Sequence, residues 1–113
     1  MGRGRDWHPE SMNMAEFERL TSALDGVSTR KRGGLLSWRY HGRLVARQLD
    51  ETRVVVRASF DTRDVFLRLF PDTFSVPPRF AKHMMVVADL QSGDPDAIED
   101  AVVAAWTLQA ANG

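Results

Sequence analysis

Cysteine is absent from this sequence, which excludes disulfide bonds, thiolate metal ligands and cysteine nucleophiles. Long apolar runs are absent too. None approaches the roughly 18 residues that a membrane-spanning helix needs, and no apolar stretch follows the arginines at the start of the chain. We therefore expect no membrane association and no secretory signal. A chain without cysteine suits a reducing compartment, and we expect a cytoplasmic monomer.

Lysine is scarce. The chain has two lysines against 13 arginines, an excess that weakly favours a recognition role and that a GC-rich coding bias would also produce. Basic residues are missing altogether from residues 89–113, which carry five acidic side chains. Residues 30–57 instead carry eight basic and two acidic side chains, a net charge of +6 within a chain of formal net charge zero. Segregated charge of this kind indicates charged partners.

The length and composition are those of one globular domain. A chain of 113 residues can bury one core but not two, and 43% hydrophobic residues is ordinary for a globular protein. We predict a disordered lead-in over residues 1–12 and a single domain over residues 13–111.

The domain is predicted to begin with a helix. Asn13 can cap it, Glu16 follows at the spacing of a capping box, and the helix ends near Leu24 because Asp25-Gly26 favours a left-handed turn. Val27 to Arg32 is a candidate edge strand.

Three short strands are predicted between Leu35 and Ala58, joined by a two-residue loop at His41-Gly42 and a three-residue loop at 50–52. These loop lengths predict a register in which Trp38 faces Val45, Tyr40 faces Arg43 and Arg47 faces Val55. Alternation then sorts the side chains onto two faces. The predicted basic face is Trp38, Tyr40, Arg43, Val45, Arg47, Leu49, Arg53, Val55 and Arg57. The predicted helix-covered face is Ser37, Arg39, Leu44, Ala46, Gln48, Val54, Val56 and Ala58.

The second half of the chain is predicted as a helix, a loop, a strand and a final helix. The helix spans Asp61–Phe70 with Ser59 or Asp61 as its cap, and Val65, Phe66 and Leu69 form its buried side. The remaining segments are an extended loop over 74–82, a strand over 83–90 and a helix that starts at the Asp94-Pro95 cap. The order α-β(3–4)-α-β-α predicts an α+β single domain, an antiparallel β-sheet with helices on one face.

With this element order, the chain resembles the MmcQ/YjbR family of small bacterial proteins over roughly residues 14–110. The resemblance rests on the aromatic–basic–apolar run and glycine turn at 38–43, the strand at 54–57 and the strand-plus-helix tail at 84–110. Two departures are Arg57 in place of the family's usual lysine and the lack of a tryptophan near 82–85. The resemblance implies a DNA-binding-like fold and brings no catalytic residues with it.

The candidate site is the arginine-rich part of the sheet. Arginine pairs bidentately with phosphate, and aromatic rings stack on unpaired bases. The candidate nucleic-acid-binding residues are Arg39, Arg43, Arg47, Arg53, Arg57, Trp38, Tyr40, Lys31 and Arg32. The alternative interpretation is that the two aromatic residues belong to the core and that the arginines form a solvated face. The basic segment 30–32 could likewise contact phosphates or simply protect a sheet edge from pairing.

No pattern of catalytic residues is present. The three histidines, His8, His41 and His83, lack metal-ligand spacing, and Gly33-Gly34 lacks the lysine of a phosphate loop. We therefore expect no enzyme, cofactor or metal. The leading hypothesis is a small non-enzymatic DNA-binding module. The alternatives are an adaptor for a protein partner or, third, a small-molecule pocket between the sheet and the loop at 74–80.

Overall fold

A six-stranded antiparallel sheet with three α-helices is seen in the computed structural model, which describes residues 11–112. The helices are α1 (Met14–Ser22), α2 (Phe60–Leu69) and α3 (Pro95–Ala111). The strands are β1 (Val27–Arg32), β2 (Leu35–Tyr40), β3 (Arg43–Gln48), β4 (Arg53–Arg57), β5 (Phe74–Ser75) and β6 (Met85–Asp89). A short 3-10 helix spans Pro78–Phe80, and the sheet order is β1-β2-β3-β4-β6-β5. The predicted α+β class is confirmed.

The helices begin at the caps that the sequence predicts. The Asn13 side chain accepts from the backbone N–H of Glu16 at 2.8 Å, and the Glu16 carboxylate accepts from the N–H of Asn13 at 2.9 Å. This reciprocal pair is a complete capping box. Ser59 and Asp94 cap α2 and α3, each by accepting a backbone N–H from the first turn.

Tight turns connect the central strands. His41 and Gly42 form the two-residue loop between β2 and β3 with φ of 49° and 85°, and the glycine tolerates this left-handed conformation without strain. The β3–β4 loop is closed by a hydrogen bond from Leu49 N to Arg53 O at 2.9 Å, which leaves three residues at the turn. Both loop lengths are confirmed.

Of the three residue pairs predicted for the central strands β2, β3 and β4, two are confirmed and one is wrong. Tyr40 pairs with Arg43 as predicted, but Trp38 lies opposite Ala46 instead of Val45. The shift is a β-bulge, in which one extra β3 residue is accommodated without a partner. Because of the extra residue, side chains of β3 before and after the bulge do not follow a single in–out alternation.

The bulge therefore overturns the predicted faces. Arg47 pairs with Val55 as expected, so β3 and β4 beyond the bulge keep their predicted alternation. On β2 the faces are exchanged: Trp38 and Tyr40 lie on the helix-covered face, and Arg39 lies on the opposite one. Of the arginines predicted to share a face with these aromatic residues, Arg43 does so, but Arg47, Arg53 and Arg57 lie on the opposite face.

The main core lies between the sheet and the helices. Trp38 has no exposed surface and meets the Phe17 ring edge-on, with ring centroids 5.1 Å apart. Val54, Val56 and the α3 stripe complete the packing around this pair. The fully buried members of the α3 stripe are Ala97, Ile98, Ala101, Val102 and Ala105. The large aromatic pair explains why α1 packs where it does.

A smaller cluster covers part of the other face. Phe80, on the 3-10 helix, packs against Val55 and Val87 of the central strands and is only 9% exposed. The segment predicted as an extended loop is thus a short strand followed by this 3-10 helix.

Three further predictions differ from the structure. Val65 and Leu69 of α2 are exposed, whereas Phe66 packs on the core as predicted, together with Leu67 and Phe70. Met12, assigned to the lead-in, donates its N–H to the Leu90 carbonyl at 3.2 Å and packs against the core. The strand predicted over 83–90 is shorter in the structure, where β6 spans Met85–Asp89. Residues 1–10 of the predicted lead-in lie outside the described residues.

Candidate nucleic-acid interface

The sheet face away from the helices carries an arginine on each of its first four strands. Alternation and pairing place on it Arg30, Arg32, Arg39, Arg47, Arg53 and Arg57, and we call this set the arginine face. Helices cover the opposite side, and the Phe80 cluster covers only the region near β4 and β6. Within residues 11–112, the arginine face therefore remains open over β1, β2 and β3.

Cross-strand pairing fixes the spacing of these arginines. Arg30 pairs with Ser37, Ser37 with Arg47, and Arg47 with Val55, so these four residues form one row across the sheet. Neighbouring strands lie roughly 4.8 Å apart, which puts the backbones of Arg30 and Arg47 roughly 10 Å apart. The charges are spread over two dimensions instead of forming a line.

Most of these guanidinium groups are free of acidic partners. Arg30, Arg32, Arg47 and Arg57 make no side-chain hydrogen bond or ion pair within residues 11–112, and Arg39 only approaches the Gly42 carbonyl at 3.4 Å. Free guanidinium groups on one face are available to an external anion.

Arg53 is the exception. Its Nη2 lies 2.7 Å from Asp50 Oδ2, and its Nε donates to the same oxygen at 2.8 Å. The Arg53 hydrogen bond lowers the pKa of the Asp50 carboxyl, and the same contact raises the pKa of Arg53. Arg53 was predicted as a phosphate ligand, but its charge is already compensated within the chain.

Two arginines rest on the ring of Phe80. The guanidinium carbon of Arg47 lies 5.8 Å from the ring centroid, and that of Arg79 lies 4.8 Å from it. Cation–π contacts of this kind hold a guanidinium in place while its donors remain available. Arg79 belongs to the 3-10 helix and borders the arginine face.

The other predicted residues lie elsewhere. Trp38 is buried, and Tyr40 stacks on His41 at 4.2 Å on the helix side. Lys31 pairs with Leu36 and shares that side, although it is exposed at the sheet edge. Arg43 pairs with Tyr40, again on the helix side.

Arg43 and Arg57 meet at one end of the sheet. They line a recess of about 410 Å³ together with Gln109 and Asn112, at the carboxyl end of α3. No basic residue lies in the last turn of α3. Arg43 is thus placed to compensate the negative end of the helix dipole, which is a structural role.

Two members of the surface were missing from the predicted set. Arg30 was named only as part of a basic segment, although its two-residue spacing from Arg32 indicates a shared strand face. Arg79 follows two prolines in a segment without periodicity, so no sequence signal indicated its position.

Metal binding and membrane insertion find no structural support in the part of the chain that is described. Across 11–112, no three His, Asp or Glu side chains are grouped to hold a metal ion. None of the helices formed by these residues has the length and apolarity that a membrane span requires.

Comparison of the chain with protein-family models, with curated proteins and with solved structures yields no match. The resemblance to the MmcQ/YjbR family therefore stays a prediction, and the functional argument rests on the surface itself.

Proposed function

We propose that this protein is a non-enzymatic module of the MmcQ/YjbR type that binds nucleic acid against the arginine face. One observation carries the proposal: Arg30, Arg32 and Arg47 share the part of the arginine face that the other described residues leave open, and they have no acidic partner within residues 11–112. Phosphate contacts made by such groups are favourable because they release counterions condensed on the nucleic acid. We also propose that the protein is a monomer and is cytoplasmic.

The position of the acidic residues of α3 supports this proposal, although one other acidic residue, Asp89, lies opposite Arg53 on the arginine face. The acidic residues of α3 cluster at its first two turns, and α3 packs on the helix-covered face of the sheet. A polyanion on the arginine face would thus approach the basic side of the molecule and keep the sheet between itself and α3. A net charge of zero does not oppose binding when the charges are segregated in this way.

The test is a fluorescence anisotropy titration of a labelled 20-base-pair duplex in 50 mM and 200 mM salt. Arg30→Glu/Arg47→Glu should weaken binding at least about tenfold at low salt and make the slope of log K against log salt less steep by about 2, because two phosphate contacts are lost.

The matched control is Arg19→Glu/Arg68→Glu, which makes the same change in net charge on exposed residues of α1 and α2. This control should bind within about threefold of the unchanged protein if the arginine face is the site. Equal losses in both variants, with circular dichroism showing that both are folded, would show a non-local charge effect and remove the proposal.

An adaptor for an acidic protein is the second candidate, and the open edge of β1 favours it. β1 is an edge strand, and residues 28–32 are all exposed. An acidic extended segment could add to this edge by backbone hydrogen bonds and charge pairing. Absence of duplex binding in 50 mM salt, together with retention of an acidic peptide that β1 charge reversal abolishes, would favour this candidate.

A further inference from the structure

The aromatic rings within residues 11–112 leave the open part of the arginine face without a stacking platform. Trp38 and Phe17 are buried, Tyr40 is stacked on His41, and Trp106 donates its Nε1–H to the Asp25 carbonyl on the helix side. Three phenylalanines pack on one another in the main core: Phe66, Phe70 and Phe74. Phe60 lies on α2 against Arg63. Only Phe80 remains on the open side.

Phe80 is not available to a base. Its ring is 9% exposed, packs against Val55 and Val87, and lies beneath the guanidinium groups of Arg47 and Arg79. Proteins that prefer single strands gain roughly 5- to 150-fold in affinity for each base stacked on an aromatic side chain. No described ring on this surface can supply that gain.

Side-chain amides, which read adenine edges, are also missing from the arginine face in the part of the chain that the structure describes. Gln48 lies nearby on β3, but its register with Val54 places it on the helix side. Both ends of its amide are occupied, since Oε1 accepts from Leu36 N at 3.0 Å and Nε2 donates to the Asp50 carbonyl at 3.2 Å. The open surface offers guanidinium groups, hydroxyls and aliphatic side chains.

The two-dimensional spread of charge matches a duplex better than a single strand. Over the open region the free arginines extend from β1 to β3, two strand spacings or roughly 10 Å. A duplex presents phosphates from two strands, with one charge per about 1.7 Å of axis, twice the density of one strand. A single strand crossing this surface would follow one row and leave the other arginines unused.

We infer that the arginine face recognises the phosphate backbone alone, so that it takes duplex nucleic acid at least as well as single strands and without sequence preference. This inference rests on the proposed function and specifies its substrate class. It follows from guanidinium groups spread over three strands and from the lack, among residues 11–112, of a free ring or amide beside them.

The experiment compares four labelled probes in 50 mM salt: two 20-base-pair duplexes of unrelated sequence, a 20-nucleotide single strand, and a single strand of equal phosphate number whose central bases are replaced by abasic sites. The two duplexes should bind within about threefold of each other, and neither single strand should bind more tightly than the duplexes. The abasic strand should bind within about threefold of the normal strand, because the lost bases make no contact.

Arg30→Glu/Arg47→Glu should weaken all four probes by similar factors, whereas Arg19→Glu/Arg68→Glu should leave them unchanged. A normal single strand that binds about tenfold more tightly than both duplexes, and loses that advantage when abasic, would overturn the inference and leave the proposed function standing. Failure of all four probes to bind would instead remove the proposed function, and the inference with it.

Discussion

Arg63 fixes the segment that borders the arginine face. From α2, its Nη1 donates to the His83 carbonyl at 2.8 Å and its Nη2 to the Ala81 carbonyl at 3.1 Å, with longer contacts to two neighbouring carbonyls. Its guanidinium also lies 4.9 Å from the ring centroid of Phe60. Because Arg79 and Phe80 precede these carbonyls, Arg63 holds them in place from the far side of the sheet.

We expect Arg63→Ala to lower the free energy of unfolding by about 2–3 kcal/mol, since several hydrogen bonds from a charged donor to backbone carbonyls are lost. Arg63→Lys should recover only part of this, because an ammonium group cannot reach several carbonyls in a fork. Urea denaturation measures both. Arg68→Ala, an exposed change on the same helix, should shift stability by no more than about 0.5 kcal/mol. If Arg63→Ala lost no more stability than this control, Arg63 would not be holding the segment in place.

Asp50 has two roles that substitutions can separate. Its Oδ1 accepts from the backbone N–H groups of Thr52 and Arg53 at 3.0 and 2.9 Å, and its Oδ2 pairs with the Arg53 side chain. The first role shapes the β3–β4 turn, and the second is electrostatic. The Arg53 contact makes the folded-state pKa of the carboxyl lower than its unfolded value.

A lowered folded-state pKa means that the ionised carboxylate stabilises the folded protein above the unfolded pKa, and that this stabilisation is lost as pH falls through the folded pKa. Asp50→Asn should therefore be slightly less stable than the unchanged protein at pH 7, with a small difference because both side chains are largely solvated. The difference should vanish on acidification below pH of about 4. Asp50→Ala should lose about 1 kcal/mol more at every pH, because it also loses the turn hydrogen bonds. Urea titrations measure these stabilities. If the stability difference between Asp50→Asn and the unchanged protein did not vary with pH, the electrostatic role of Asp50 would be refuted.

At the scale of elements, local sequence signals predicted the helix starts correctly, but they did not predict the β-bulge, which depends on a long-range contact. The caps at Asn13, Ser59 and Asp94 depend on neighbours within a turn, so the helix starts were readable from sequence. The bulge opposite Trp38 depends on how a large indole packs against Phe17, 21 residues away. Alternation in β2 alone is compatible with either face, and that ambiguity explains why the predicted basic face was partly wrong.

The bulge has a second support from α3. Gln109 is 6% exposed, and its Nε2 donates to the Leu44 carbonyl, next to the shift in register, at 2.6 Å. A carbonyl at a bulge lacks the regular ladder around it, so a side-chain donor from the packed helix is well placed to satisfy it.

Gln109→Leu should therefore cost about 1–3 kcal/mol of unfolding free energy although the volume is nearly conserved, because an acceptor loses its partner inside the core. Gln91→Leu, at an exposed position, serves as the control and should be close to neutral. Guanidinium denaturation of the two variants gives the comparison. Equal stabilities would indicate that the Leu44 carbonyl does not need the amide.

α2 illustrates a different limit of sequence reasoning. Its apolar residues cover more than half of the helix circumference, so several stripes could have been the buried one. Packing on Phe74 chose the side that carries Phe66 and Phe70, and Val65 and Leu69 were left exposed. The contact partner, not the helix's own pattern, decided the outcome.

At the scale of the whole molecule, the fold turns a charge asymmetry along the chain into one across the sheet. The sequence predicted the basic middle and the acidic end, and the element order predicted helices on one face. Together these placed α3 opposite the basic strands, as the structure confirms. The membership of the arginine face was less predictable, because Arg79 arrives through an irregular segment and Arg43 turns inward with Tyr40.

The contacts of Phe80 also bear on the rates of the proposed interaction. Arg47 and Arg79 rest on the ring, so they would surrender little rotamer freedom on meeting a phosphate, whereas an arginine carries about 2 kcal/mol of rotamer entropy when unrestrained. Arg30 and Arg32, at the exposed sheet edge, have no such support. The edge pair would then act chiefly on the speed of encounter, and the ring-supported pair on the lifetime of the complex.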